Sequence, residues 1–268
     1  IDHFGLNFVA DYERIGERPW ERYDEVIDRT GAGNIRYPGG ITAETVFDIS
    51  NPNAEFVVLE NGGTRQMMGA FDFAEFANAN GFSASFIIPT AHLLEEIPGQ
   101  AQRGFNEEFS QYVIDYVMGV LIASGGNIST FEIGNEYESH MTSAEYGILV
   151  NALAPIIDAA IEDYNDQFPQ QQSDAQISVQ VWSHFSNEDT IYDTDNLYTR
   201  TDRVIEQFDE EALDAIDALV THWYVRDHGR RYIDVYYDIE ADILDSMSVL
   251  DHFADSVERD FDLFLSEW

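Results

Sequence analysis

The sequence predicts a parallel α/β protein of the TIM (β/α)8-barrel type, and three observations carry that prediction. Seven short apolar, β-branched or aromatic runs recur at long intervals along the 268 residues. Stretches of helical periodicity separate most of them, and repeated strand–helix alternation builds a parallel sheet with helices outside it. The first run is followed by Asp11-Tyr12-Glu13-Arg14 rather than a glycine-rich phosphate fingerprint, which argues against a dinucleotide-binding α/β fold.

The strand-like runs begin near Phe4, Asn34, Phe82, Thr130, Ile177, Ala218 and Phe261. The clearest helix places Phe105, Phe109, Tyr112, Val113, Tyr116, Val117, Val120 and Leu121 on one face, and Gly125-Gly126 stops it. Further helices are expected at 20–30, 71–80, 143–164 and 236–258, with Asp72 and Ser143 as N-caps and Gly81 at a C-terminus. Pro155 implies a kink or a break in the fourth helix. Val204, Ile205, Phe208, Leu213 and Ile216 indicate one helix or two short ones. The polar, helix-poor stretch Ser186–Thr201 suits the loops that build a barrel's active face. Seven strands do not close such a barrel. The expectation is a single domain over 1–268, truncated after the seventh strand, lacking the eighth strand and helix, in a polypeptide with further domains.

At 44% hydrophobic residues the chain can bury one large core or two small ones. No apolar run reads as long enough to span a bilayer. The first residues run straight into a strand pattern with no basic or apolar leader, so any export signal is expected outside this chain. Acidic residues outnumber basic ones 51 to 13, for a formal charge of −38, and every basic residue is arginine. Such a surface repels nucleic acid and anionic lipid, so neither is an expected partner. It favours a secreted or extracellular, saline setting, where screening relieves self-repulsion; a calcium-rich exterior acts similarly.

The missing residue types prune chemistry. Without lysine there is no Schiff-base aldolase, pyridoxal-phosphate enzyme or Walker-type nucleotide site. Without cysteine there is no thiol nucleophile, disulfide framework or cysteine-ligated zinc. The 7 histidines show no metal-ligand spacing. Asp193-Thr194-Asp195-Asn196 lacks the glycine and distal glutamate of an EF-hand. No Gly-x-Ser-x-Gly elbow is present. Neither cofactor nor metal is expected.

Two glutamates each close a strand-like run: Glu136 in Phe131-Glu-Ile-Gly-Asn135-Glu136, and Glu267 in Phe264-Leu-Ser-Glu267-Trp268. Strand ends form a barrel's active face. Two carboxylates there can flank one sugar ring, one donating a proton and the other attacking carbon. Three strands separate them, which sets them across the mouth. Gly134 permits close approach, and Asn135 is placed to grip a sugar hydroxyl. Arg36 in Ile35-Arg36-Tyr37-Pro38-Gly39-Gly40 ends the second strand and can hold a carboxylate ionised. His222 and Tyr224 share one side of the sixth strand. His92, Trp182 and His184 follow other runs, and Trp182 and Trp268 offer stacking faces or core filling. A carbohydrate substrate is the expected partner; the competing reading is a non-catalytic carbohydrate-binding barrel.

Arg36, Asn135-Glu136, His222-Trp223-Tyr224 and Ser266-Glu267-Trp268 together resemble the clan A retaining glycoside hydrolases. Arg36-Tyr-Pro-Gly-Gly40 and Glu132-Ile-Gly-Asn-Glu136 look most like α-L-arabinofuranosidases, β-xylosidases and the β-glucuronidase/heparanase group. The resemblance implies retention by double displacement, with Glu136 as acid/base and Glu267 as nucleophile, their carboxyls about 5 Å apart. It also implies that Arg36 and Tyr224 keep Glu267 ionised.

Overall fold

The computed structural model of the protein describes residues 5–8, 29, 33–59, 62–182, 194–222, 244 and 247–267, with the backbone alone for 5, 6, 182, 194–197, 199, 200 and 265–267. All seven runs singled out in the sequence form strands of one sheet. They are β1 (Gly5–Asn7), β2 (Asn34–Tyr37), β3 (Ser83–Ile88), β4 (Thr130–Ile133), β5 (Gln176–Trp182), β6 (Ala218–His222) and β7 (Asp262–Glu267). Spatial order equals chain order and every pairing is parallel. Each strand therefore returns through a crossover and lies beside its predecessor, as in a singly wound sheet. The sheet curls until Cα atoms of β1 and β7 lie within 8 Å. No ladder joins those edges among the described residues, so the architecture is a curled, open parallel α/β sheet.

The helices are α1 (Thr42–Thr45), α2 (Ala70–Asn80), α3 (Ser110–Ser124), α4 (Ser143–Gln167), α5 (Thr194–Ile205), α6 (Glu210–Ala215) and α7 (247–257). Gly81 and Gly125 end α2 and α3 in the left-handed conformation, as the sequence predicts. The predicted N-caps are corrected. Gly69 precedes α2 while the Asn53 side chain accepts from the Phe71 and Asp72 amides, and Thr142 rather than Ser143 caps α4. Helix α4 is one element through Pro155. The 203–217 segment resolves into two helices, the first of which starts at Thr194, inside the stretch read as a loop. The predicted helix at 20–30 lies almost wholly outside the described residues. Two short hairpins, Phe56–Val58 with Thr64–Gln66 and Leu94–Glu95 with Gly104–Phe105, were not expected.

Strand alternation sorts side chains onto two faces. Ile35, Tyr37, Phe86, Phe131, Ile133 and Val179 face the helices and join Phe73, Tyr116, Leu149 and Leu153 in one core. The opposite, concave face is polar. There Asn34 Nδ2 donates to Ser85 Oγ at 3.0 Å, and Thr130 Oγ1 to Ser178 Oγ at 3.0 Å. By length and composition α4 is apolar enough to cross a membrane, which corrects the expectation that no run is. Tyr146, Leu149, Val150, Leu153 and Ile157 on it are fully buried in the core, so this apolarity serves packing.

Helix α4 starts with a capping box: Thr142 Oγ1 accepts from the Glu145 amide at 3.2 Å, and Glu145 returns the contact to the Thr142 amide at 3.0 Å. Arg103 reaches Glu145 Oε1 at 2.8 Å. That bond above all holds the Glu145 carboxyl down at about 2. Thr142→Ala should lower unfolding free energy by about 1 kcal/mol and Thr142→Ser should restore most of it, as measured by urea denaturation.

Candidate active site

The carboxyl ends of β2, β4 and β6 converge on the concave face. Arg36 on β2 grips Glu132 on β4 through two parallel bonds, Nε to Oε2 at 2.7 Å and Nη2 to Oε1 at 2.6 Å. Both side chains are buried. Burial alone would push the Glu132 carboxyl up from its ordinary 4.5. The Arg36 charge, with hydrogen bonds from His222 and Arg36, outweighs that and brings it to about 2. Arg36 Nη2 also donates to Asn135 Oδ1 at 2.9 Å. Asn135 therefore has its oxygen engaged and its amide nitrogen left to serve as a donor.

His222, at the end of β6, is fully buried with its two ring nitrogens facing different carboxyls. Nε2 lies 3.4 Å from Glu132 Oε1, and Nδ1 lies 3.4 Å from Glu136 Oε1. The Glu136 side chain is 23% exposed while Glu132 and His222 are sealed. Of the two glutamates on the Glu132–Glu136 segment, only Glu136 can meet a ligand from outside. Its backbone is unusual: φ 46° and ψ 51°, the left-handed region. A residue with a Cβ is held there at a cost of about 1–3 kcal/mol, and such strain clusters at functional sites. Gly134, two residues earlier, sits at φ 80° with Thr90 so close that a Cβ would lie 3.1 Å from its hydroxyl. Glycine is needed at that bend.

Glu267 ends β7, and its Cα pairs with that of His222 across a register shift between Thr221 and His222. The backbone thus sets Glu267 beside the residue whose ring meets Glu136. The side chains of Glu267 and Trp182 lie outside the described residues, as does the whole of His184, Trp223, Tyr224 and Trp268. Arg36, Asn135, Glu136 and His222 are brought together. His92 is exposed in the turn after β3. The resemblance sets Arg36 toward Glu267, whose side chain lies outside the described residues; among the described side chains the carboxylate on its guanidinium is Glu132.

Three residues at the site escaped sequence reasoning. Glu132 carried a usable signal, because period-2 alternation sets it opposite Phe131 and Ile133, an acid inside an apolar strand. Gln180 on β5 carried a weaker one of the same kind; its Oε1 accepts from the Glu136 amide at 2.7 Å. Glu44 on α1 carried none. It reads as an ordinary surface acid, yet it is buried and accepts from the amides of Thr90, Ala91 and Asn135 at 2.9, 2.7 and 2.9 Å.

No protein-family model matches the chain, and no curated protein matches it. Solved structures do. AbfB, a family 51 α-L-arabinofuranosidase from Bifidobacterium longum, superposes over 98% of this chain at 15% identity with a TM-score of 0.60. The chain spans about half of that protein, 54% of its length. A calcium-binding mutant of β-glucuronidase 2 from Bacteroides uniformis matches 90% of this chain and 24% of its own at 13% identity, TM-score 0.41. D-psicose 3-epimerase from Clostridium cellulolyticum covers 98% of this chain and 84% of its own at 10% identity, TM-score 0.43. The first of these likenesses is one of fold, an α/β parallel sheet shared with that arabinofuranosidase.

Removing Glu132 strands the Arg36 charge in a buried site. Glu132→Ala should cost about 3–5 kcal/mol of unfolding free energy, and the double variant Arg36→Met/Glu132→Leu should recover much of it. The folded carboxyl titrates near 2 and the unfolded one near 4.5. Its stabilisation is complete above the unfolded value and is lost as pH falls through the folded one. The stability difference between wild type and Glu132→Gln should therefore shrink across that window, as read by denaturant unfolding at each pH.

Proposed function

We propose that the protein is a retaining glycoside hydrolase of clan A type, with Glu136 as acid/base and Glu267 as nucleophile. The observation that carries this reading is the setting of Glu136: a partly exposed carboxyl on a strained left-handed residue at a strand end, touching His222, whose strand neighbour is Glu267. Likeness of fold to a family 51 arabinofuranosidase is consistent with it and leaves the substrate open.

In this mechanism Glu136 gives its proton to the glycosidic oxygen as the bond to the anomeric carbon breaks. A Glu267 oxygen bonds to that carbon from the opposite side, and the leaving sugar departs as an alcohol. Water then attacks the glycosyl-enzyme, yielding its proton to the Glu136 carboxylate, and Glu267 leaves as the free carboxylate. Asn135, fixed through its oxygen by Arg36, offers its amide hydrogens to a hydroxyl of the bound sugar. The ionised Glu132 accepts the proton on His222 Nε2, so in the neutral ring Nδ1 is an acceptor facing the protonated Glu136 carboxyl. The role of Tyr224 remains that implied by the resemblance, a hydroxyl that orients Glu267, with Trp182 and Trp268 as stacking faces.

A formal charge of −38 disfavours the approach of polyanions, which favours neutral glycans as substrates and counts against nucleic acid and anionic membrane as partners. The same charge fits a saline, extracellular medium. The test is a panel of nitrophenyl glycosides and of neutral and acidic polysaccharides with the full-length protein. At least one neutral substrate should be cleaved. Glu267→Gln should abolish turnover, and Glu136→Gln should lower it by about 10²–10⁴-fold on substrates with poor leaving groups. Binding of sugars without turnover would instead identify a carbohydrate-binding barrel.

A further inference from the structure

The Asn135–Glu136 backbone is held by two buried side chains from elsewhere in the fold. Glu44 Oε1 accepts from the Asn135 amide at 2.9 Å and from Thr90 Oγ1 at 3.1 Å. Its other oxygen takes the Thr90 and Ala91 amides at 2.9 and 2.7 Å. One carboxylate thus ties the turn after β3 to the end of β4. From the other side, Gln180 Oε1 on β5 accepts from the Glu136 amide at 2.7 Å. Successive amides of the dipeptide are therefore clamped by two side chains, one from helix α1 and the other from β5. The second residue of the pair, Glu136, is the left-handed one.

Fold stability does not account for either residue. Gln180 is fully buried, and its Nε2 has no protein partner among the described residues. A buried unpaired donor costs about 1–3 kcal/mol, which an apolar side chain of similar size would avoid. Burial of Glu44 dominates its titration and raises its carboxyl, even against the three amides and the more distant His140 that pull it down. Carrying both groups, together with a strained Glu136, is a stability cost concentrated at one dipeptide. Such concentrations accompany functional positioning.

We infer that Glu44 and Gln180 are positioning residues that hold the Asn135–Glu136 backbone in the left-handed conformation, and so aim the Glu136 carboxyl at the leaving-group oxygen. The aim rests on the reading of Glu136 as acid; the clamp itself does not. Neither residue touches the reacting atoms. Their substitution should therefore impair proton delivery more than sugar binding.

The test uses the full-length protein with Glu44→Gln and Gln180→Met, each first shown to be folded by thermal unfolding. An amide in place of the Glu44 carboxyl keeps one accepting oxygen and turns an NH2 toward backbone donors; methionine removes the Gln180 acceptor at similar volume. Hydrogen exchange should accelerate by about tenfold at the Asn135 amide in the first variant and at the Glu136 amide in the second. On alkyl glycosides, which need a proton on the leaving oxygen, kcat/KM should fall by about 100-fold. On dinitrophenyl glycosides, whose leaving group needs none, kcat/KM should stay within about fivefold, while kcat falls because the second step still needs Glu136 as base. Unchanged exchange in folded variants overturns the clamp, and equal losses of kcat/KM on both substrates overturn its role in aiming the Glu136 carboxyl. If Glu44→Gln does not fold, the Gln180→Met arm decides alone. Accelerated exchange in a protein whose wild type cleaves no glycoside would uphold the clamp and refute the proposed hydrolase.

Discussion

The site depends on one buried ion pair. Arg36 and Glu132 neutralise each other on the concave face of the sheet, where neither charge reaches water. Two forked hydrogen bonds from Nε and Nη2 fix the guanidinium, and the same Nη2 also donates to Asn135 and approaches His222. Burying a charge pair is not by itself a route to stability, since a well-packed apolar pair often does as well. What this pair supplies is direction. It sets an ionised carboxylate 3.4 Å from one His222 nitrogen and leaves the other nitrogen 3.4 Å from Glu136.

Around that pair the fold is organised as two faces with opposite chemistry. The convex face is an aromatic and aliphatic core, with Tyr37 stacked on Phe73 at 4.8 Å and helices α2 to α4 covering it. The concave face is lined by hydrogen-bonded polar groups that tighten toward the strand ends. A parallel sheet curled in this way collects the loops after its strands at one rim. Residues far apart in sequence, Glu44, Arg36, Glu132, Gln180 and His222, meet there within a few bonds of each other.

Much of the fold was legible in the sequence. The seven apolar runs are the seven sheet strands, because their β-branched and aromatic content is set by burial against helices, which local pattern records. The glycines at 81 and 125 announced helix ends because left-handed backbone leaves few alternatives. The caps were misread by one residue at Thr142 and more widely at Asp72, where Asn53, distant in sequence, supplies the acceptor. Helix α5 was expected to begin too late, because Thr194–Ile205 is polar overall and only Val204 and Ile205 at its end were read as an apolar signal. At the site, Arg36, Asn135, Glu136 and His222 were found from strand-end position. Glu132 was passed over although alternation exposes it. Glu44 could not be found, since nothing local distinguishes a buried acid on a four-residue helix from a solvated one.

The central claim is that Glu136 and Glu267 face one anomeric centre. The most direct measurement is a crystal structure of the full-length protein trapped with a 2-fluoro glycoside. A sugar bonded to Glu267, with the Glu136 carboxyl about 5–5.5 Å from the Glu267 carboxyl, is the predicted result. A separation of about 6.5–9.5 Å, as inverting enzymes show, or a sugar bonded to another residue, would contradict the account.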